Sequence, residues 1–196
     1  MNTLLRIIGS LVVSLVVTQA ATAQQPGPEH PANSLWSNLV PDSLVMQHAA
    51  YGGFVAAGVG YGSGGSLALD LLYGFTPKEF AGHDVHTWNT KGLWYIASIG
   101  LRNHTEWRGY LGLSILYSHH EELFVMLPEQ YPAYYYPPTA LRPMLLAGLD
   151  LQIRRTIGLS VEYALLDTEL SYLRDGGKLS SESIGSWGFS VRFLTH

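Results

Sequence analysis

The stretch Ile157-Gly158-Leu159-Ser160-Val161-Glu162-Tyr163-Ala164-Leu165-Leu166 alternates along its length. Ile157, Leu159, Val161, Tyr163 and Leu165 fall on one side, and Gly158, Ser160, Glu162 and Ala164 on the other. A period of two belongs to an extended strand, whose successive side chains point to opposite faces. The composition of the second face decides the fold class. A sheet face that meets water normally carries many Lys, Glu and Thr, opposite an apolar face buried in a core. Here the polar face is small residues with one isolated charge. That is the pattern of a strand showing its apolar face to lipid and its other face to a barrel lumen.

The same pattern recurs outward from this segment. Leu67, Leu69, Leu71, Tyr73 and Phe75 alternate with Ala68, Asp70, Leu72 and Gly74. Leu111, Leu113, Ile115 and Tyr117 oppose Gly112, Ser114 and Ser118. Leu145, Ala147, Leu149, Leu151 and Ile153 oppose Gly148, Asp150, Gln152 and Arg154, and Trp187, Phe189, Val191 and Phe193 oppose Ser186, Gly188, Ser190 and Arg192. Aromatics gather at segment ends (Tyr61, Tyr73, Phe75, Trp88, Trp94, Tyr110, Tyr117, Tyr163, Trp187, Phe193), where interfacial girdles belong.

Strands are predicted at 54–61, 66–75, 86–97, 109–118, 141–153, 157–166 and 184–194. Residues 170–173 are read as a possible upward extension of a strand. Short links at 62–65 and 154–156 alternate with long ones at 76–85, 119–140 and 167–183, and 98–108 is intermediate. Outer-membrane barrels have short periplasmic turns, long outer loops and an even strand number. The missing strand is therefore sought at 44–50, with a tight outer hairpin at Tyr51-Gly52-Gly53. The expected fold is all-β: an antiparallel transmembrane up-and-down β-barrel of about eight strands, a size whose lumen side chains fill.

Composition agrees. Charged residues are only 13% and aromatics 12% of the 196 residues, which excludes disorder and a coiled coil. The net charge is −4 and no basic stripe is visible, so no nucleic-acid partner is expected. The absence of Cys excludes disulfides, thiolate zinc sites and cysteine nucleophiles.

Residues 1–23 read as a secretory signal peptide: Arg6, then an apolar run from Ile7 to Val17, then Ala21-Thr22-Ala23 as cleavage site. The run is too short for a helix spanning the bilayer, and no later stretch reaches about 18 consecutive apolar residues. Residues 24–43 read as a linker with three prolines in its first ten residues, with a short helix from Ser34 as one reading of its second half, and 44–196 as the barrel. Together these place the protein in a bacterial outer membrane, with lipid as its partner and the chain as a monomer. A soluble periplasmic lipocalin-like carrier is the rival architecture.

Alternation points Asp70, Lys91, Asp150, Gln152, Glu162 and Arg192 into the lumen. Buried charges must pair, so these residues are expected to form a largely compensated plug. Replacing lumen-facing Gly148 or Ser160 with Ser or Ala should cost much less than arginine at the lipid-facing Leu149 or Leu159, which costs about 2–4 kcal/mol each. His83-Asp84-Val85-His86 and His119-His120-Glu121-Glu122 lie at the outer ends of neighbouring strands. Imidazoles beside carboxylates suit a divalent metal or acid–base work. Neither spacing is a recognised ligand motif, so no metal or cofactor is expected, and His83, Asp84, His86, His119 and His120 are weak catalytic candidates. Tyr131-Pro132-Ala133-Tyr134-Tyr135-Tyr136-Pro137-Pro138 offers stiff, flat, amphipathic contacts to the barrel rim, the lipid interface or a ligand.

Tyr51 to His196 as a whole resembles small eight-stranded outer-membrane barrels. Leu71 to Lys78, His83-Asp84-Val85-His86-Thr87 and the later Tyr131-Pro132, Tyr135-Tyr136 and Thr139-Ala140 resemble an uncharacterised group of bacterial outer-membrane proteins. That resemblance implies a fold and a location but no activity. Two enzyme families share the architecture. Lipid A deacylases use a His-Ser pair on one strand, and lipid A palmitoyltransferases use His, Asp and Ser near the outer rim. This chain has only the reversed Ser118-His119. The expected function is non-enzymatic: a structural, envelope-interaction or small-solute role. A lipid-modifying enzyme using the outer-rim histidines is the alternative.

Overall fold

A computed structural model describes residues 40–62, 64–101, 104–120, 140–174 and 185–195, the side chains of 171–174 excepted. Eight strands follow one another: β1 (Ser43–Ala49), β2 (Val55–Tyr61), β3 (Leu67–Thr76), β4 (Val85–Gly100), β5 (Glu106–His119), β6 (Leu141–Ile153), β7 (Ile157–Leu166) and β8 (Ser186–Leu194). Each pairs antiparallel with its chain neighbours, and β1 pairs with β8, closing an up-and-down barrel. Closure removes both sheet edges, so every strand has partners on two sides.

The alternation read from Ile157 to Leu166 is the barrel's inside–outside alternation. Along β6, Met144, Leu146, Asp150 and Gln152 are buried, while Leu145, Ala147 and Leu149 are exposed. The strands contain eight ionisable Asp, Glu, Lys and Arg residues: Asp70, Lys91, Glu106, Arg108, Arg142, Asp150, Glu162 and Arg192. All occupy inward positions of the alternation. The outward face is mainly Leu, Ile, Val, Ala and aromatics, with Met46, Thr90 and Pro143 among them and His48, His86 and His119 toward the loop end.

Three expectations are corrected. Residues 170–173 do not extend a strand; they belong to α2 (Asp167–Arg174). Glu169 starts that helix by accepting the Leu166 N–H at 2.8 Å, the reach-back half of a capping box. The link expected at 98–108 shrinks to 101–105, because β4 and β5 run 16 and 14 residues. A bulge between Tyr95 and Ala97 keeps the pair in register as they lengthen. Tyr110 is not a girdle residue; it alternates with Gly112 and Ser114 and is only 3% exposed.

The long outer link 77–84 carries the four-residue α1 (Lys78–Ala81), closed by Gly82 in the left-handed region. At the barrel's other end, Arg154, Arg155 and Thr156 make the β6–β7 turn, with the two arginines at φ 50° and 56°. The expected linker and any helix within 24–39 lie outside the described residues, as do the signal peptide and Tyr131, Tyr134, Tyr135 and Tyr136.

Candidate functional site

Two layers of ion pairs cross the lumen. Toward the end where β1 begins and β8 ends, Arg192 grips Asp70 with two parallel bonds of 2.9 and 2.7 Å, and also donates to Ser43 Oγ at 3.0 Å. Beside it, Arg108 Nη2 lies 2.6 Å from Asp150 Oδ2, and Ser160 Oγ donates to Asp150 Oδ1 at 3.0 Å. The Arg108 guanidinium sits 4.0 Å above the Tyr95 ring, a cation–π contact.

Higher up, Lys91 pairs with Glu162 and donates to Gln47 Oε1 at 2.6 Å. Gln47 Nε2 donates to Glu162 Oε1 at 2.8 Å, and Tyr110 donates to Glu162 Oε2 at 3.1 Å. Ser114 donates to Asn89 Oδ1, while Asn89 Nδ2 finds no hydrogen-bond partner. The three pairs use three acids and three bases, all six at most 5% exposed. Breaking one buried pair strands its partner, at a cost of about 3–5 kcal/mol.

Asp70, Lys91, Asp150, Glu162 and Arg192 are therefore joined in these pairs. Gln152 is buried below them, near the terminal rim. Sequence reasoning missed Arg108, Gln47, Asn89, Ser114 and Tyr110. For Arg108 a signal was present: three acids against two bases left a charge uncompensated. Arg108 shares the parity of Tyr110, Gly112 and Ser114, so extending β5 by one inward position supplies the third base.

The loop end is stoppered by the β1–β2 turn. Ala49, Ala50 and Tyr51 stand in succession at φ 66°, 52° and 62°. Each left-handed L-residue costs about 1–2 kcal/mol, so contacts must hold the turn in place. Thr87 Oγ1 donates to Gly52 O at 2.7 Å, and Ala50 N–H to Trp187 O at 3.0 Å. Ala50 is fully buried. Room for this insertion comes from Gly74, where a Cβ would lie 1.8 Å from Gly52 O. The tight hairpin expected at Tyr51-Gly52-Gly53 is a wider turn over 50–54, and its path into the mouth depends on Thr87 and Gly74, which are distant in sequence.

Tyr51 ties the stopper to the outer loops. Its hydroxyl donates to Glu169 Oε1 at 2.5 Å, and the same oxygen accepts Gly185 N–H at 2.9 Å. Burial, then the hydrogen bond to Glu169, pushes the Tyr51 phenol well above its ordinary value. Arg142 fixes the start of α2 by bonds of 2.7 Å to Asp167 and 2.6 Å to Thr168.

The histidines form two tiers at the loop end. His86 and His119 are register partners on β4 and β5. His83 and His120 stack with ring centroids 3.6 Å apart. His86 Nδ1 lies 2.6 Å from Tyr73 Oη, so that nitrogen is engaged with a phenol. Asp84 accepts the Lys78 N–H at 2.8 Å and so braces α1 instead of facing an imidazole. Among the described residues no three His, Asp or Glu side chains gather as a metal site. Ser118 pairs in register with inward Thr87 and thus lies on the opposite face from His119.

No family model, no curated protein and no solved structure matches the chain.

Proposed function

We propose that the chain is a bacterial outer-membrane β-barrel, non-enzymatic, with a structural or envelope-interaction role carried by its rims. One observation carries the membrane reading: every Asp, Glu, Lys and Arg of the eight strands occupies an inward position, and the outward face is apolar apart from Thr90 and the loop-end His48, His86 and His119. Leu111, Leu149, Phe189 and Trp187 are 47, 52, 59 and 61% exposed. A soluble carrier needs the reverse, since an apolar belt around the whole barrel drives association in water.

Dimensions support it. The outward run of residues 143–153 on β6 covers about 33 Å of strand at about 3.3 Å per residue. A tilt of about 40° brings that to about 25 Å, the height of an outer-membrane apolar band. Tyr73 beside Trp88 and Tyr163 beside Trp187, with ring centroids 5.0 and 4.9 Å apart, supply an aromatic belt toward the loop end. Trp94, Trp107 and Phe193 lie toward the other end. Short turns then face the periplasm and long loops the outside, with 1–23 as the export signal. The paired lumen and the inserted β1–β2 turn favour a closed scaffold over a solute channel.

Membrane fractionation tests this. The protein should sediment with outer membranes and show heat-modifiable gel mobility. Recovery as a soluble monomer without detergent would overturn it.

A further inference from the structure

At the end of the barrel opposite the stopper, the lumen opens into two adjoining hollows of about 870 and 650 Å³. Glu106, Gln152 and Arg155 line both; Arg154 lines the larger. Residues 96–100 of β4 extend past the last β3 partner, Leu67; of these, 96–98 wall the smaller hollow and Gly100 the larger.

Two independent features mark this vestibule as more than the mouth of a barrel. The first is its turn. The β6–β7 link is three residues, 154–156, and Thr156 N–H donates to Ile153 O at 3.0 Å, closing a turn whose two central residues are left-handed, a conformation that favours Asn-Gly. Here both positions are arginine, at φ 50° and 56°. Backbone strain is kept where the side chains it presents have work to do. The second is unspent polarity. Gln152 is 8% exposed, yet its side chain has no hydrogen-bond partner among the described residues. Glu106, Arg154 and Arg155 likewise form no ion pair with any described residue, although Glu106 and Arg155 share both hollows. Deeper in, Arg108 is already committed to Asp150.

We propose that this vestibule binds a small zwitterion bearing a carboxylate and an ammonium group, as at the ends of a short peptide. Arg155 and Arg154 take the carboxylate, because the guanidinium fork matches its two oxygens. Glu106 takes the ammonium, and the Gln152 amide completes the polar lining. A simple anion is disfavoured by Glu106, and a simple cation by the arginine pair.

Calorimetric titration of the folded barrel in detergent, with alanylalanine as probe, tests this independently of membrane location. Folding is verified beforehand by circular dichroism. Saturable binding is expected, with acetate and ethylammonium each at least about tenfold weaker. Arg155→Ala and Glu106→Gln should each weaken the dipeptide by about tenfold or more. The double variant Arg154→Asn, Arg155→Gly separates the turn from the site: it should melt at a higher temperature and lose the dipeptide. No saturable binding by a folded barrel, equal binding of the single-charge analogues, or full affinity in the double variant would each overturn the proposal.

Discussion

Arg108 and Asp150 are direct register partners across the β5–β6 pair, and their side chains meet inside the barrel at 2.6 Å. Strand pairing and ion pairing therefore specify the same alignment. A one-residue slip of β5 against β6 would turn Arg108 to the outward face and leave Asp150 unpaired in the lumen. Asp70 and Arg192 do the same work at longer range, joining β3 to β8 through the lumen.

Removing one member of such a pair should be severe, and removing both mild. Arg108→Met leaves the fully buried Asp150 uncompensated and should cost about 3–5 kcal/mol. Arg108→Met with Asp150→Leu should recover most of that loss. Urea unfolding of the refolded barrel measures both. A double variant as unstable as the single would show that the pair stabilises the fold beyond charge compensation.

Gly148 should not tolerate even alanine. A Cβ there would lie 2.3 Å from Tyr110 Cζ and 2.4 Å from its Oη. Tyr110 cannot swing away without surrendering its bond to Glu162. Overpacking of this kind costs about 1–3 kcal/mol. Ser160→Ala loses one hydrogen bond to Asp150, worth about 1 kcal/mol. The two lumen-facing positions thus differ in what they tolerate. The same unfolding assay should rank Gly148→Ala as the more damaging.

The Tyr51 tie predicts an alkaline limb of stability. Its phenol is held above the ordinary value of 10.0 by burial and by Glu169. A group raised in the folded state stabilises fully below its unfolded value and loses that contribution as pH climbs through the folded one. Stability should therefore fall above about pH 10, where the unfolded chain ionises Tyr51 and the folded barrel resists. Tyr51→Phe should be less stable at neutral pH and show a shallower alkaline decline. Thermal melts from pH 8 to 11 check this; parallel declines in the two proteins would contradict it.

Much of this architecture is legible in local alternation, because a barrel strand repeats one contrast every two residues. The alternation gives all of 157–166 and the inward placement of Asp70, Asp150 and Glu162. It fails where the determinant is non-local. Arg108 looked like part of a turn, because the bulge at Tyr95 and Ala97 that lengthens β4 and β5 has no simple periodic signature. Tyr110 looked like a girdle aromatic until its parity was weighed against its residue type. The stopper rests on Thr87 reaching Gly52, 35 residues away in the chain. The Arg154-Arg155 turn is visible as a short link, but its left-handed backbone is not, since no Gly or Asn announces it.

The central claim is that the outward face lies in lipid. The chain has no native Cys, so single cysteines can carry a fluorophore without background. We would place one at Leu113, Leu149 or Leu159, all outward near mid-height, and one at Thr105 in the terminal turn. The measurement is quenching by lipids brominated near the bilayer centre, in vesicles holding the refolded barrel. The account predicts strong quenching at the three leucine positions and little at Thr105. Equal, weak quenching at all four, with every label open to an aqueous quencher, would contradict it.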